Sequence, residues 1–185
     1  NGMAEIGDRE SLSTDVVIVG AGPSGLAAAI RLKQVNPDIA VTVVEKSADI
    51  GGHILSGAVM DPKGLDALIP DWRSRGAPVG PVATKDQFHF LTEGADIKLP
   101  GLMIPPQMRT HDGVITSLGD LVRWLGEQAT ALGVEIYPAT AAVDVVTGPD
   151  GAVQGIITGD LGVARDGSQK PGFARGIALL AKYTL

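Results

Sequence analysis

The stretch DVVIVGAGPSG, residues 15–25, decides the fold, and a helix-forming segment from Leu26 to Val35 follows it at once. A short apolar run of β type leads directly into a G-x-G-x-x-G pattern, which is the context in which these glycines are informative. Gly20 permits a sharp strand-to-helix turn, Gly22 lets the backbone approach a pyrophosphate, and Gly25 lets the helix pack closely on the strand.

The start of the predicted helix favours phosphate binding. Its free N–H groups and the positive end of its dipole point at the glycine-rich turn, and Pro23 suits the first helical turn because its missing N–H costs nothing there. The predicted phosphate-binding residues are therefore Gly20, Ala21, Gly22, Pro23, Ser24 and Gly25.

A second apolar strand, VTVVE at residues 41–45, ends in an acidic residue. A carboxylate at that position accepts hydrogen bonds from the ribose diol of adenosine and disfavours a 2′-phosphate. The glycine pattern alone also fits an ordinary glycine-rich turn. With both strands, the helix and Glu45 in register, the sequence predicts a dinucleotide site in an N-terminal nucleotide unit.

Composition limits the remaining possibilities. The 185 residues allow one large domain or one and a fraction, and 44% hydrophobic residues with 25 glycines fit a globular α/β chain. A net charge of −6 without a lysine- or arginine-rich block gives nucleic-acid binding no electrostatic support. Without cysteine, disulfides, thiolate metal sites and cysteine-bound iron–sulfur clusters within this chain are excluded. No 18-residue apolar run or signal peptide is present, so we expect a soluble segment.

A second loop of small residues, GGHILSGA at 51–58, stands where a compact βαβ unit would start another helix. Flavoproteins that carry FAD on a Rossmann-like domain use such a loop to run the backbone under the cofactor, and a flexible linker is the alternative. A lone histidine in such a loop is more often solvated than functional. Ser56 and the loop backbone are therefore better candidates than the His53 ring.

The coarse organisation alternates regular and irregular segments. Prolines interrupt residues 60–112, which contain one short helix (64–69) and two paired strands (87–91 and 96–99); this segment fits an inserted subdomain, a binding lid or a connector. From Ser117 a helix with an apolar stripe ends at Gly133, followed by a third parallel strand and a β-meander. The predicted segments are a tag remnant and loose N-terminus (1–14), an FAD-binding βαβ unit (15–59), the insertion (60–112) and the continuation of the FAD-binding domain, incomplete at its end (113–185).

Longer blocks resemble the electron transfer flavoprotein–ubiquinone oxidoreductase family. They are GHILSGAVMDP at 52–62, PDW at 70–72, SLGDLVRWLGEQA at 117–129 and LGVEIYP at 132–138. The similarity extends from Asp15 to the last residue, and the HILSGA and LVRWLGEQA blocks are far more specific than the glycine pattern.

The resemblance implies an α/β, Rossmann-like FAD-binding domain of glutathione-reductase type with an inserted β-rich subdomain. It implies an electron-transferring-flavoprotein dehydrogenase at the inner or cytoplasmic membrane surface. Such enzymes take electrons from reduced electron transfer flavoprotein, hold them on FAD and a 4Fe-4S cluster, and pass them to ubiquinone. No catalytic acid or base is implied, because electron transfer depends on distance, orientation and potential.

The family's binding residues carry over position by position. The glycines at 20, 22 and 25 would bind the pyrophosphate. Glu45 would bind the adenosine ribose, with Lys46 beside it. Near the ribityl chain or flavin would lie His53, Ile54, Leu55 and Ser56. Arg123 would lie near the phosphates, although a solvated helix face explains it equally well, and the backbone at Ala142 would meet the adenine edge.

The main departure from the family is length. Family members are much longer, and the cluster domain needs four cysteines that this chain lacks. We therefore expect a truncated N-terminal portion that does not reduce quinone by itself. Two alternatives remain: another FAD enzyme of the superfamily, such as a prenyl reductase or hydroxylase, and a non-catalytic nucleotide-binding fragment. A nicotinamide site is disfavoured because no acid or base is arranged for hydride chemistry.

Overall fold

The computed structural model describes residues 6–85, 87–105 and 113–185. Within these ranges the helices are α1 (Pro23–Val35), α2 (Lys63–Leu68) and α3 (Leu118–Ala131), and a 3-10 turn spans Gly101–Met103. The strands are β1 (Ser11–Val19), β2 (Val41–Val44), β3 (Ala58–Met60), β4 (Val79–Val82), β5 (His89–Leu91), β6 (Asp96–Lys98), β7 (Val114–Thr116), β8 (Glu135–Tyr137), β9 (Ala142–Thr147), β10 (Val153–Thr158), β11 (Leu161–Val163), β12 (Gln169–Ala174) and β13 (Ala178–Thr184).

The described chain divides into two compact units. The first consists of the described residues up to Ile54 together with Val122–Leu185, and the second of those between Leu55 and Leu121. The first unit is thus discontinuous in sequence, and it contains the glycine pattern.

A six-stranded sheet in the order β8-β2-β1-β13-β10-β9 forms the centre of the first unit. The strands β8, β2, β1 and β13 run parallel, whereas β10 pairs antiparallel with both β13 and β9. Its buried core includes Val17, Val44, Ile156 and Leu179, which come from four different strands. The predicted third parallel strand is confirmed, since β8 follows α3 and pairs with β2 in register Val43 to Ile136.

Helix α1 packs against this sheet through Leu26, Ala29 and Ile30, which recur at helical spacing and are buried. Its N-cap is Gly22, and Pro23 lies in the first turn as predicted.

The glycines of the first motif have the predicted steric roles at two positions. Gly20 has φ +105°, a region that residues with a Cβ rarely adopt. A Cβ built on Gly25 would lie 2.1 Å from the Gly20 carbonyl oxygen and 3.2 Å from Ile18 Cγ2. Only glycine at position 25 therefore allows α1 to approach β1 this closely.

Helix α3 also has the predicted ends. The Asp120 N–H donates to Ser117 Oγ at 3.4 Å, and the Val134 N–H donates to the Ala129 carbonyl at 3.1 Å around Gly133, whose φ is +83°. These are an N-cap and a left-handed C-terminal turn, and they direct the chain into β8.

Strand β1 begins earlier than the sequence predicted. Ser11–Thr14 lie within the segment expected to be loose, yet Ser11 pairs with Ala178 and Thr14 with Ala181 of β13. The stretch contains few apolar residues, so local pattern did not reveal a strand whose partner lies 167 residues later.

The second unit contains a three-stranded antiparallel sheet in the order β3-β7-β4 and the hairpin β5–β6. The predicted short helix (α2) and the predicted strand pair (β5–β6) are confirmed. Trp72 is fully buried, and its Nε1–H donates to Asp66 Oδ1 at 2.7 Å. The strands β3 and β7 were not predicted, because neither Ala58–Met60 nor Val114–Thr116 alternates apolar and polar residues.

A polar cluster joins the segment before β1 to the segment before β13. Asp160 Oδ1 accepts hydrogen bonds from the Gly176 N–H at 2.8 Å and from Arg9 Nη1 at 2.9 Å. The Gly176 amide, followed by the Arg9 guanidinium, lowers the pKa of Asp160 below its ordinary value of 3.8.

Among the described residues, none of the helices has the length and apolar composition needed to cross a bilayer.

Substituting Gly25→Ala tests the close approach of α1 to β1. The new Cβ would collide with backbone that cannot move away, so we expect a loss of roughly 2–3 kcal/mol in the free energy of unfolding. Urea denaturation measures this change in the free energy of unfolding. The control is Gly64→Ala in α2, where a Cβ meets no atom within 4 Å and helix propensity favours alanine. Equal stability of the two variants would contradict the described packing.

Substituting Asp160→Asn tests the polar cluster through pH. Because folding lowers this pKa, the ionised carboxylate stabilises the fold above pH 3.8, and that contribution is lost as pH falls through the folded-state pKa. The variant should melt below the unsubstituted chain at pH 7, and the Tm difference should shrink in acid. Asp38→Asn, an exposed change of the same type, is the control. A Tm difference independent of pH would show that the ionised form contributes nothing.

Candidate functional site

A cleft of about 270 Å³ opens in the first unit at the carboxyl ends of β1 and β2. In open α/β sheets, ligands bind outside the carboxyl ends of the parallel strands. The residues that line this cleft are Val19, Gly20, Val44, Glu45, Lys46, Thr140, Ala141 and Ala142.

The glycine-rich loop forms one boundary of the cleft. The Gly20 N–H donates to the Val44 carbonyl at 2.7 Å, which fixes the loop to the end of β2. Gly22 has φ −81°, and a Cβ built there would meet no atom within 4 Å. The loop therefore leaves open space beside the N-terminus of α1, where free N–H groups favour an anion.

Glu45 lies half-buried at the end of β2, and both of its carboxylate oxygens have backbone partners. Oε2 accepts a hydrogen bond from the Ala21 N–H at 2.9 Å, and Oε1 accepts one from the Ser47 N–H at 2.8 Å. The carboxylate thus joins the glycine-rich loop to the turn that follows β2.

Another part of the wall consists of Thr140 and Ala141, between β8 and β9, and Ala142, the first residue of β9; of these three, the sequence indicated only Ala142. The Thr140 N–H donates to the Glu45 carbonyl at 2.8 Å, and the Ala139 N–H donates to the Ser47 carbonyl at 2.8 Å. Ala139 has φ +54°, a left-handed conformation that is costly for a residue with a Cβ. The contact between residues 137–139 and the end of β2 is a tertiary contact. No local sequence pattern predicts it.

Tyr137 stays protonated at neutral pH. The negative charge of Glu135, together with partial burial and the hydrogen bond that its hydroxyl donates to Glu135 Oε2 at 3.3 Å, raises the pKa of Tyr137 above 10.0. Its carbonyl meanwhile accepts the Glu45 N–H at 3.0 Å, so its backbone helps to fix the strand end that carries Glu45.

The structure places the predicted site residues in four groups. Gly20, Glu45, Lys46 and Ala142 line one cleft, and Ala21 is bonded to Glu45. His53, Ile54 and Arg123 belong to the same unit without lining the cleft, and Arg123 is exposed on α3. Leu55 and Ser56 belong to the second unit, where Ser56 Oγ donates to Ser117 Oγ at 3.0 Å. The remaining predicted residues, Gly22, Pro23, Ser24 and Gly25, form the start of α1.

The strand order, the glycine-rich loop and the acidic strand end together define a Rossmann-like dinucleotide-binding domain. Residues 18–73 match the family described as NAD(P)-binding Rossmann-like domain. Solved structures with this fold include a geranylgeranyl bacteriochlorophyll reductase-like protein from Thermoplasma acidophilum (TM-score 0.61, 16% identity, 94% of this chain and 38% of that one). Another is the flavin-dependent monooxygenase PieE in complex with FAD and substrate (TM-score 0.61, 16% identity, 94% and 30%). These likenesses show that the chain shares the Rossmann-like fold of such proteins.

Curated relatives are electron transfer flavoprotein–ubiquinone oxidoreductases. The Dictyostelium discoideum protein is 52% identical over 185 residues, covering 98% of this chain and 30% of the relative. The human protein is 50% identical over 182 residues (96% and 29%), and the Pseudomonas aeruginosa protein 48% identical over 184 residues (96% and 33%). The resemblance to this family is confirmed over nearly the whole chain. The chain spans about a third of the length of these relatives.

Substituting Ala139→Gly tests the backbone of the cleft wall. Glycine adopts φ +54° without a steric penalty, so the gain of about 1–2 kcal/mol exceeds the entropy cost of about 0.4–1 kcal/mol. We expect a small net stabilisation, measured by urea denaturation. Ala48→Gly in the neighbouring turn, where φ is not positive, is the control and should destabilise. If both substitutions destabilise equally, residue 139 is not left-handed.

Proposed function

We propose that this chain is the FAD-binding portion of an electron transfer flavoprotein–ubiquinone oxidoreductase, and that it holds the adenosine diphosphate half of the cofactor in the cleft of its first unit. The observation that carries the proposal is the joint placement of the glycine-rich loop, Glu45 and Ala142 around one cleft. Identity near 50% to the named relatives favours this family over a prenyl reductase or hydroxylase, for which the likeness is of fold alone.

The residues of the cleft fit this group. The open space beside Gly22 accommodates a pyrophosphate against the N–H groups of the first turn of α1. Glu45 accepts from the ribose hydroxyls, and Lys46 and the Ala142 backbone flank the adenosine. FAD, when bound, supplies the redox chemistry, whereas the residues of this chain bind and orient it. The roles of His53, Ile54, Leu55, Ser56 and Arg123 stay predictions from the sequence.

For the whole protein, we propose electron transfer from reduced electron transfer flavoprotein to ubiquinone, through FAD and a 4Fe-4S cluster held by residues outside this chain. Ubiquinone dissolves in membranes, and we therefore propose a peripheral location of the whole protein at the inner or cytoplasmic membrane. In this proposal the exposed apolar side chains of the second unit are candidates for the membrane contact; they include Phe90, Leu91, Leu102 and Met103.

The direct test is titration of the purified 185-residue chain with FAD, followed by absorption and by quenching of flavin fluorescence. We expect saturation near one FAD per chain and competition by ADP, since the described cleft holds the adenosine diphosphate half. A chain that is folded by circular dichroism and takes up neither FAD nor ADP would overturn the proposal.

Substituting Gly22→Ala separates binding from stability. A methyl group at position 22 meets no protein atom within 4 Å, so the free energy of unfolding should stay within about 1 kcal/mol of the unsubstituted value. The same methyl group occupies space that the pyrophosphate needs, so FAD affinity should fall at least about tenfold. Gly64→Ala, remote in sequence and sterically free, is the control. Unchanged FAD affinity would place the pyrophosphate elsewhere.

A further inference from the structure

The Glu45 side chain has contacts within the protein in addition to the ribose contact proposed above. Its two backbone partners lie in different loops: Ala21 in the glycine-rich loop after β1, and Ser47 in the turn after β2. At 2.9 Å and 2.8 Å both contacts have ordinary hydrogen-bond lengths, and an ionised acceptor makes them stronger than bonds between neutral groups.

The Ala21 amide needs this acceptor. Ala21 is only 1% exposed, and a buried N–H without a partner destabilises the conformation that buries it. The preceding amide, at Gly20, donates to the Val44 carbonyl at 2.7 Å. Two consecutive amides of the glycine-rich loop are therefore bonded to two consecutive residues at the end of β2, one through backbone and one through the Glu45 side chain.

The carboxylate can serve the loop and a ligand at once. An ionised carboxylate offers about four acceptor positions on its two oxygens. The Ala21 and Ser47 amides use two of them, which leaves acceptor capacity for the two hydroxyls of a ribose.

We infer that Glu45 is a positioning residue as well as a ribose contact: it holds the glycine-rich loop in its pyrophosphate-binding conformation before an adenine nucleoside diphosphate arrives. This inference rests on the proposed nucleotide-binding function. Because the loop is ordered in advance, binding of the diphosphate does not bear the entropy cost of ordering it. Part of the affinity for the phosphates thus depends on a side chain that does not touch them.

The substitution Glu45→Gln separates the two roles. A glutamine has one acceptor oxygen, and its amide NH₂ would face one of the two backbone N–H donors, so at least one loop loses its bond. If Glu45 served only the ribose, the substitution would be harmless to a nucleotide without ribose hydroxyls. If it also orders the loop, the loss of affinity remains for such a nucleotide.

The experiment measures affinities of the full 185-residue chain for ADP and for 2′,3′-dideoxy-ADP by titration calorimetry. We expect Glu45→Gln to weaken dideoxy-ADP binding about tenfold or more, with a larger loss for ADP. Glu127→Gln, which removes the same charge from the exposed surface of α3, is the control and should leave both affinities within about twofold. Dideoxy-ADP affinity equal in Glu45→Gln and the unsubstituted chain would overturn the inference.

A second measurement does not depend on the variant folding. In the nucleotide-free, unsubstituted chain, the Ala21 amide should exchange with solvent at least about tenfold more slowly than an unstructured amide. An unprotected Ala21 amide would overturn the inference, while ADP binding to the same sample would leave the proposed function standing. Failure of the unsubstituted chain to bind ADP would instead contradict the proposed function itself.

Discussion

The contact between α1 and the end of β1 at Gly25 is the constraint on which the candidate site depends. With only a hydrogen atom between the helix and the Gly20 carbonyl, the N-terminus of α1 lies directly after the carboxyl end of the strand. Its free N–H groups therefore face the region where β1 and β2 end. Glu45 reaches the same region because β2 is paired with β1 in register Val19 to Val44. Moving the helix outward to accommodate a Cβ would separate the groups that a dinucleotide must contact together.

Around the contact between α1 and β1, both the electrostatics of the cleft and the backbone conformation of its wall favour the arrangement of the candidate site. The cleft has a helix N-terminus that favours an anion, and the carboxylate at its edge is bonded to two backbone amides, whose N–H dipoles partly offset its negative charge. The wall at Ala139 adopts a left-handed backbone to donate to Ser47. That conformation brings the following residues, Thr140–Ala142, to the cleft.

Much of the first unit was predictable because its signals are local. The apolar runs of β1 and β2, the caps of α3 and the steric roles of Gly20 and Gly25 each act within a few residues, and the structure confirms them. The pairing of β13 between β1 and β10 was not predictable, since it joins segments 167 residues apart. The same holds for the site: Gly20 and Glu45 follow from a known spacing, whereas the amide partners of Glu45 and the turn at Ala139 depend on tertiary contacts. In the second unit, β3 and β7 were missed because their three residues do not alternate between apolar and polar, whereas β5 lies in the alternating stretch 87–91 and was predicted.

The position of β13 beside β1 has a consequence for synthesis. Strand β1 pairs with β2 and with β13, and the paired residues of β13 follow those of β1 by 167 positions. Until β13 is synthesised, one edge of a mostly apolar strand has no partner, and a strand edge of that kind readily pairs with other chains. The second unit is continuous in sequence from Leu55 to Leu121. Its strands can therefore pair with one another before β13, which the central sheet requires, has been synthesised. During synthesis this edge of β1 therefore stays open until β13 has emerged, and a chaperone that covered it would limit pairing between chains.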